Sequence, residues 1–175
     1  MRGWLEWEGA MALDDRQLAD GQEWRRDPYL ISTDRRKIDL DVVHGFLTTS
    51  YWSPGIPREV VRRAIEHSLP FGLYRGVSQV GLARVVTDYA TFAYLCDVFI
   101  LPGSRGQGLG AWLMAVVTDY PALQGLRRWV LATRDAHGLY RHSGFTGLAH
   151  PDTFMEKVVP DAYGARGVRP EATGR

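Results

Sequence analysis

Cysteine is nearly absent from this chain: its 175 residues include Cys96 and no other, which excludes an internal disulfide and a cysteine-based zinc cluster. Long apolar runs are missing as well. No stretch reaches the roughly 18 residues a membrane helix needs, and the N-terminus has Arg2, scattered acids and no apolar signal region. Neither a membrane span nor a secretory leader is expected, so the sequence reads as soluble and cytoplasmic. There is no excess of either charge. The 21 Lys and Arg nearly balance the 20 Asp and Glu, for a formal net charge of +1. The pairs Arg25-Arg26, Arg62-Arg63 and Arg127-Arg128 lie apart among acids, which leaves no footprint for nucleic acid. Neither H-x-x-x-H nor H-E-x-x-H occurs among His44, His67, His137, His142 and His150, so no metal site is expected.

The sequence does carry an ordinary globular composition, 45% hydrophobic and 11% aromatic, at a length that favours one domain. Residues 1–25 hold Trp4, Trp7 and Trp24 without a sustained period and read as an extension of uncertain order. Residues 160–175, rich in Gly, Pro, Ala and Arg, read as a mobile tail. The domain expected over 26–159 begins with a strand near 29–33, then a helix capped by Asp39 or Asp41 and a second helix opened by Pro57. In that second helix Val60, Val61, Ala64 and Ile65 share one face. Strands follow at 71–75 and 80–86, joined through Gly76-Val77-Ser78-Gln79, and another at 94–101. Leu109, Trp112, Leu113, Val116 and Val117 mark an amphipathic helix that stops at Pro121. A strand at 128–132, a short helix at 136–143 ended by Gly144 and a final strand at 154–159 complete an α+β domain around a mainly antiparallel sheet.

The richest stretch is 94–110, where an apolar strand empties through Pro102-Gly103-Ser104 into Arg105-Gly106-Gln107-Gly108-Leu109-Gly110. The glycines allow tight turning and bring successive N–H groups toward an anion, the following helix adds the positive end of its dipole, and Arg105 adds a full charge. No G-x-x-x-x-G-K-[ST] string is present. Gly106, Gly108 and Ala111 satisfy a loose G-x-G-x-x-A pattern, but Pro102 to Arg105 intervene after the strand, Asp135 lies too far on, and repeated βαβ units are lacking, so a dinucleotide fold is set aside. A simple strand-to-helix turn would need neither Arg105 nor three glycines.

The loop, read as [RQ]-x-x-G-x-[GA], resembles the acyl-CoA loop of the GNAT superfamily of N-acyltransferases. Downstream, Ala136-His137-Gly138-Leu139-Tyr140-Arg141-His142-Ser143-Gly144-Phe145 is similar to that family's A-x-x-L-Y-x-x-x-G-F helix. The segment 37–74, with Tyr51-Trp52 and Phe71-Gly72-Leu73-Tyr74, looks like a group of small bacterial members without an assigned substrate. The resemblance implies a mixed, mainly antiparallel sheet flanked by helices, whose central strands splay to admit the pantetheine arm of acetyl-CoA. Val98, Phe99 and Ile100 would pair with that arm through their backbones, and residues Arg105, Gly106, Gln107, Gly108, Leu109 and Gly110 would hold the pyrophosphate. Thr133 stands where many relatives have a cofactor-contacting Asn.

Transfer of an acyl group from a thioester to an amine needs a neutral amine, an oxyanion donor and a proton for the thiolate. By resemblance Tyr140 is the acid, with a backbone N–H near Phe99 or Ile100 at the oxyanion. Spermidine acetyltransferases show Leu-Glu-Asp where this chain has Leu95-Cys96-Asp97, so the proposed Glu base is replaced by Cys and a water relay assisted by Asp97 is expected. Cys96 itself reads as a small hydrophobe facing substrate and not as a nucleophile. Tyr51 and Trp52 are candidates to line the amine pocket. The expected activity is acetyl transfer to a small-molecule amine in a ternary complex. The alternatives are acetylation of a protein lysine or N-terminus, and a non-catalytic acyl-CoA-binding module. No nucleic-acid or membrane partner is expected, and the choice between monomer and homodimer stays open.

Overall fold

The computed structural model describes residues 21–160 and 162–164. Their framework is one six-stranded sheet in sequential order: β1 (Glu23–Arg26), β2 (Tyr29–Ser32), β3 (Leu69–Arg75), β4 (Ser78–Thr87), β5 (Phe92–Ile100) and β6 (Arg128–Leu131). Neighbours pair antiparallel from β1 through β5, while β6 runs parallel to β5. Helices α1 (Leu40–Leu47) and α2 (Arg58–Glu66) separate β2 from β3. α3 (Leu109–Thr118) supplies the crossover that the parallel pair requires, and α4 (His137–Arg141) follows β6.

Each helix forms where local chemistry permits. The Asp39 carboxylate accepts from the N–H groups of Asp41 and Val42 at 3.0 and 3.1 Å and so caps α1. Pro57 sits at the start of α2, whose Val61 and Ile65 are buried while Arg62 pairs outward with Glu59 and Glu66. One face of the sheet, with Phe71, Leu73, Val85, Ala93 and Leu95, packs against Leu113, Met114 and Val117 of α3. On the other face Leu82 and Phe99 pack with Val43, Leu47, Val61 and Ile65 of α1 and α2. Among the described residues, no helix is long and apolar enough to cross a membrane.

A bulge shapes the centre of the sheet. Arg84 pairs with Cys96 and Leu82 with Phe99, so Ala83 alone faces both Asp97 and Val98. Asp97 takes a left-handed backbone, φ 51°, which lets the strand accommodate the extra residue and bend. β5 and β6 then pair only over Phe92–Leu95 and Arg128–Leu131, and beyond that point they part.

The structure departs from the sequence reading in several places, among them β3, which begins at Leu69 instead of 71, and α4, which spans His137–Arg141 instead of 136–143. Glu23–Arg26 forms an edge strand inside the expected extension, crossing the expected boundary at 25, because Trp24 anchors it against Phe71 and Tyr120 with ring centroids 6.2 and 5.9 Å away. The β3–β4 link shrinks to Gly76 and Val77, with Gly76 at φ 58° supplying the turn. β5 begins at Phe92, two residues before the expected start at 94. No strand forms over 154–159: Met155 is 97% exposed and Val158 and Val159 are each 66% exposed. The run Phe-Met-Glu-Lys-Val-Val lacks a two-residue alternation, so it offers no single face to bury. Residues 1–20 of the expected extension and all but a few residues of the expected tail lie outside the described residues.

Candidate active site

The parting of β5 and β6 opens a cavity of about 700 Å³. Its floor is the bulged end of β5. The Leu101 N–H donates to the Val80 carbonyl at 2.8 Å, and the Phe99 carbonyl lies 2.8 Å from where a Gly81 side chain would begin. Both groups thus point to β4, and the two-residue alternation turns Ile100, with Val98 before it, toward the slot. Gly81 is what allows so close an approach. Phe99 itself is buried, stacked on Phe46 at 4.0 Å.

The glycine loop closes one end of the cavity. Gly106 and Gly108 have φ of 77° and 72°, a conformation that costs a side-chain-bearing residue about 1 kcal/mol or more. The N–H groups of 106–111 make no backbone hydrogen bonds among the described residues, whereas Trp112 already donates to Gly108 at 3.1 Å. A row of unpaired donors at the start of α3 suits a phosphate. The loop is braced from behind: the Tyr29 hydroxyl donates to Gln107 Oε1 at 2.7 Å, and Arg105 Nε donates to the Ile100 carbonyl at 2.8 Å. Arg105 is exposed, and the Leu109 side chain is buried in the core. Of these two, Arg105 can offer charge while Leu109 can offer only its backbone.

Tyr140, on α4, enters the wall of this cavity and of a second one of about 350 Å³. It is 9% exposed. Burial, reinforced by the nearby Tyr51 and Asp135, pushes its phenol up to about 12, so at neutral pH it keeps its proton and has an O–H to donate. Cys96 lines the second cavity, and burial pushes its thiol up to about 12 as well. A thiol so held is a poor nucleophile. Thr133 also faces the second cavity, with its hydroxyl accepting from the Ala136 N–H at 3.1 Å at the entry to α4.

The loop between α1 and α2 arches over both cavities. Ser50 and Ser53 hydroxyls donate to the Leu47 carbonyl at 2.7 and 3.1 Å, and the Gly55 N–H donates to the Thr48 carbonyl at 2.8 Å, so the arch is tied to the end of α1. Its two aromatic residues then reach in opposite directions. Trp52 Nε1 donates to Asp97 Oδ1 at 3.1 Å. The Tyr51 hydroxyl accepts from the Arg134 N–H at 3.0 Å, and the Arg134 guanidinium lies 3.9 Å over its ring. Asp97 is further committed to Arg84, whose Nε is 2.7 Å from Oδ2 with both side chains at least 85% buried. A carboxylate paired in this way orders the arch and the bulge and is poorly placed to take a proton from an amine.

Sequence reasoning named the loop, Tyr140, Tyr51, Trp52, Cys96 and Asp97; the loop lines the larger cavity, Cys96 and Asp97 line the second, and Tyr51, Trp52 and Tyr140 border both. Arg84, Arg134 and Tyr29 were missed. Arg84 and Tyr29 sit on other strands with no local motif, and only the ladder shows that Arg84 lies opposite Cys96.

Comparison with known proteins agrees with this geometry. Residues 41–145 match the model of the acetyltransferase (GNAT) family. A protein of Gibberella zeae named for an acetyltransferase is 36% identical over 142 residues, 68% of this chain and 79% of that protein. The crystal structure of a GNAT-family acetyltransferase from Xanthomonas campestris pv. campestris superposes with a TM-score of 0.76 at 49% identity, covering 78% of this chain and 96% of that one. A Clostridium acetobutylicum acetyltransferase solved with acetyl-CoA shares the fold, with a TM-score of 0.55, 14% identity and coverage of 74% and 94%. The chain belongs to the GNAT family of acetyltransferases.

Proposed function

We propose that this chain is an N-acetyltransferase that moves the acetyl group of acetyl-CoA to the primary amine of a small molecule, with donor and acceptor bound together. The observation that supports this reading is convergence: unpaired amides at 106–111, a strand edge at Val98 and the Ile100 N–H that faces away from β4, and a protonated Tyr140 border one cavity. Acetyl-CoA supplies an activated thioester when bound. The 106–111 amides and Arg105 would hold its pyrophosphate, and the slot-facing backbone of β5 would pair with the amides of its pantetheine arm. An N–H of the same edge, that of Ile100, is placed to polarise the acyl carbonyl. Tyr140 donates a proton to the departing thiolate. The amine loses its own proton to water, because Asp97 is occupied by Arg84 and Trp52.

Release of free thiol from acetyl-CoA across a panel of amines tests the proposal. Tyr140→Phe should lower kcat by about 10²-fold while coenzyme A still raises the melting temperature. Unchanged turnover removes Tyr140 from its role. Absence of any stabilisation by coenzyme A defeats the whole reading.

A further inference from the structure

Twelve large apolar side chains are exposed among the described residues; three of them, Tyr51, Trp52 and Tyr94, line the second cavity, and two more, Val86 and Phe92, adjoin Tyr94 on the sheet outside it. Phe92, Tyr94 and Cys96 alternate onto one face of β5, since Ala93 and Leu95 are buried under α3 on the other. Val86 is the direct cross-strand partner of Tyr94. Helices α1 and α2 cover this face only at Leu82 and Phe99, which leaves Val86, Phe92 and Tyr94 as an uncovered ledge. Trp52, pinned by Asp97, stands at its inner end, and Tyr51, Trp52 and Tyr94 all line the same cavity. Contiguous apolar surface of this kind, continuous with a reactive centre, marks a binding site.

At the inner end of the ledge the charges are paired, while Arg128, beside Phe92 at the outer end, lies over the Phe154 ring. Asp97 is paired with Arg84 at 2.7 Å, and at the rim Arg134 and Asp135 oppose one another at 4.0 Å. Neither a polycation nor a polyanion is drawn in. Building on the acetyl-transfer reading above, we infer that the acceptor is a primary amine carried on an uncharged, ring-bearing body. The body lies on the ledge between Tyr94 and Trp52 while the amine reaches past Cys96 toward Tyr140.

Thiol release from acetyl-CoA should be compared for 2-phenylethylamine and tryptamine against spermidine, glutamate and a lysine-containing peptide. The ring amines should give kcat/KM values about tenfold higher or more. Tyr94→Ser, at an exposed position, should raise their KM about tenfold and leave the KM for acetyl-CoA and the melting temperature unchanged. Preference for spermidine, glutamate or the peptide, or indifference to Tyr94→Ser, overturns the inference while leaving acetyl transfer intact. A dimer that Tyr94→Ser dissociates assigns the ledge to a second copy and also overturns it. If no amine turns over, equilibrium dialysis of tryptamine against coenzyme A-loaded protein decides: retention that Tyr94→Ser weakens supports the ledge, and no retention removes it. Failure to bind coenzyme A at all defeats the underlying reading as well.

Discussion

Replacing Asp97 with Asn and Arg84 with Met, singly and together, separates a structural carboxylate from a catalytic one. Asn tolerates the left-handed backbone at φ 51° and retains an oxygen for Trp52, so the substitution removes chiefly the charge. Breaking a fully buried ion pair costs about 3–5 kcal/mol. Here the side chains are 15% and 12% exposed, and water reaching either remnant reduces the cost to about 2 kcal/mol. For a chain of this size that lowers the melting temperature by about 4–8 °C. Met in place of Arg84 strands the carboxylate and should cost a similar amount. The double variant has no unpaired charge left, so its loss should be no larger than that of either single variant, giving a coupling energy of about 2 kcal/mol or more in urea unfolding followed by tryptophan fluorescence. Additivity within about 0.5 kcal/mol refutes the pairing argument. In turnover, Asp97→Asn should act through the arch, raising the acceptor KM more than it lowers kcat. A fall in kcat of about 10²-fold or more at unchanged stability would restore Asp97 as the base.

Two further outcomes follow from buried hydroxyl and thiol groups. Tyr74 has a buried hydroxyl with no hydrogen-bond partner among the described residues, and its ring fills the space Gly72 leaves. Tyr74→Phe should therefore leave unfolding free energy unchanged or raise it by about 1 kcal/mol, and a loss larger than that in urea titration contradicts the assignment. Burial holds the Tyr140 phenol and the Cys96 thiol near 12 in the folded chain, against about 10 and 8.5 unfolded. The unfolded chain gives up these protons first, so stability should be fully present below about pH 8.5 and fall as pH rises toward 12. A melting temperature flat from pH 8 to pH 11 contradicts this.

The helices and inner strands were legible because their signals are local: Asp39 as a cap, Pro57 as an opener, and the repeat of Val61 and Ile65. The glycine loop was legible for the same reason, since its conformation is written in its own residues. What stayed hidden depends on partners distant in sequence. Glu23–Arg26 looks like charged coil until β2 lies beside it, whereas 154–159, apolar enough to suggest a strand, lacks the alternation that would give it a face to bury. Asp97 is the instructive case. Its identity and place near the reaction were readable, but the bulge that turns it toward Arg84 arises from an unequal count of residues on two paired strands.

The bond from Tyr29 to Gln107 spans 78 positions of sequence. It fastens the glycine loop to a strand that precedes it in the chain, so during synthesis Tyr29 must wait for the loop to emerge. The brace can form only when both the hairpin and the loop are in place. The glycine loop is therefore braced by a hairpin far from it in sequence, whose Arg26 guanidinium also lies 3.9 Å from where a Gly108 side chain would begin.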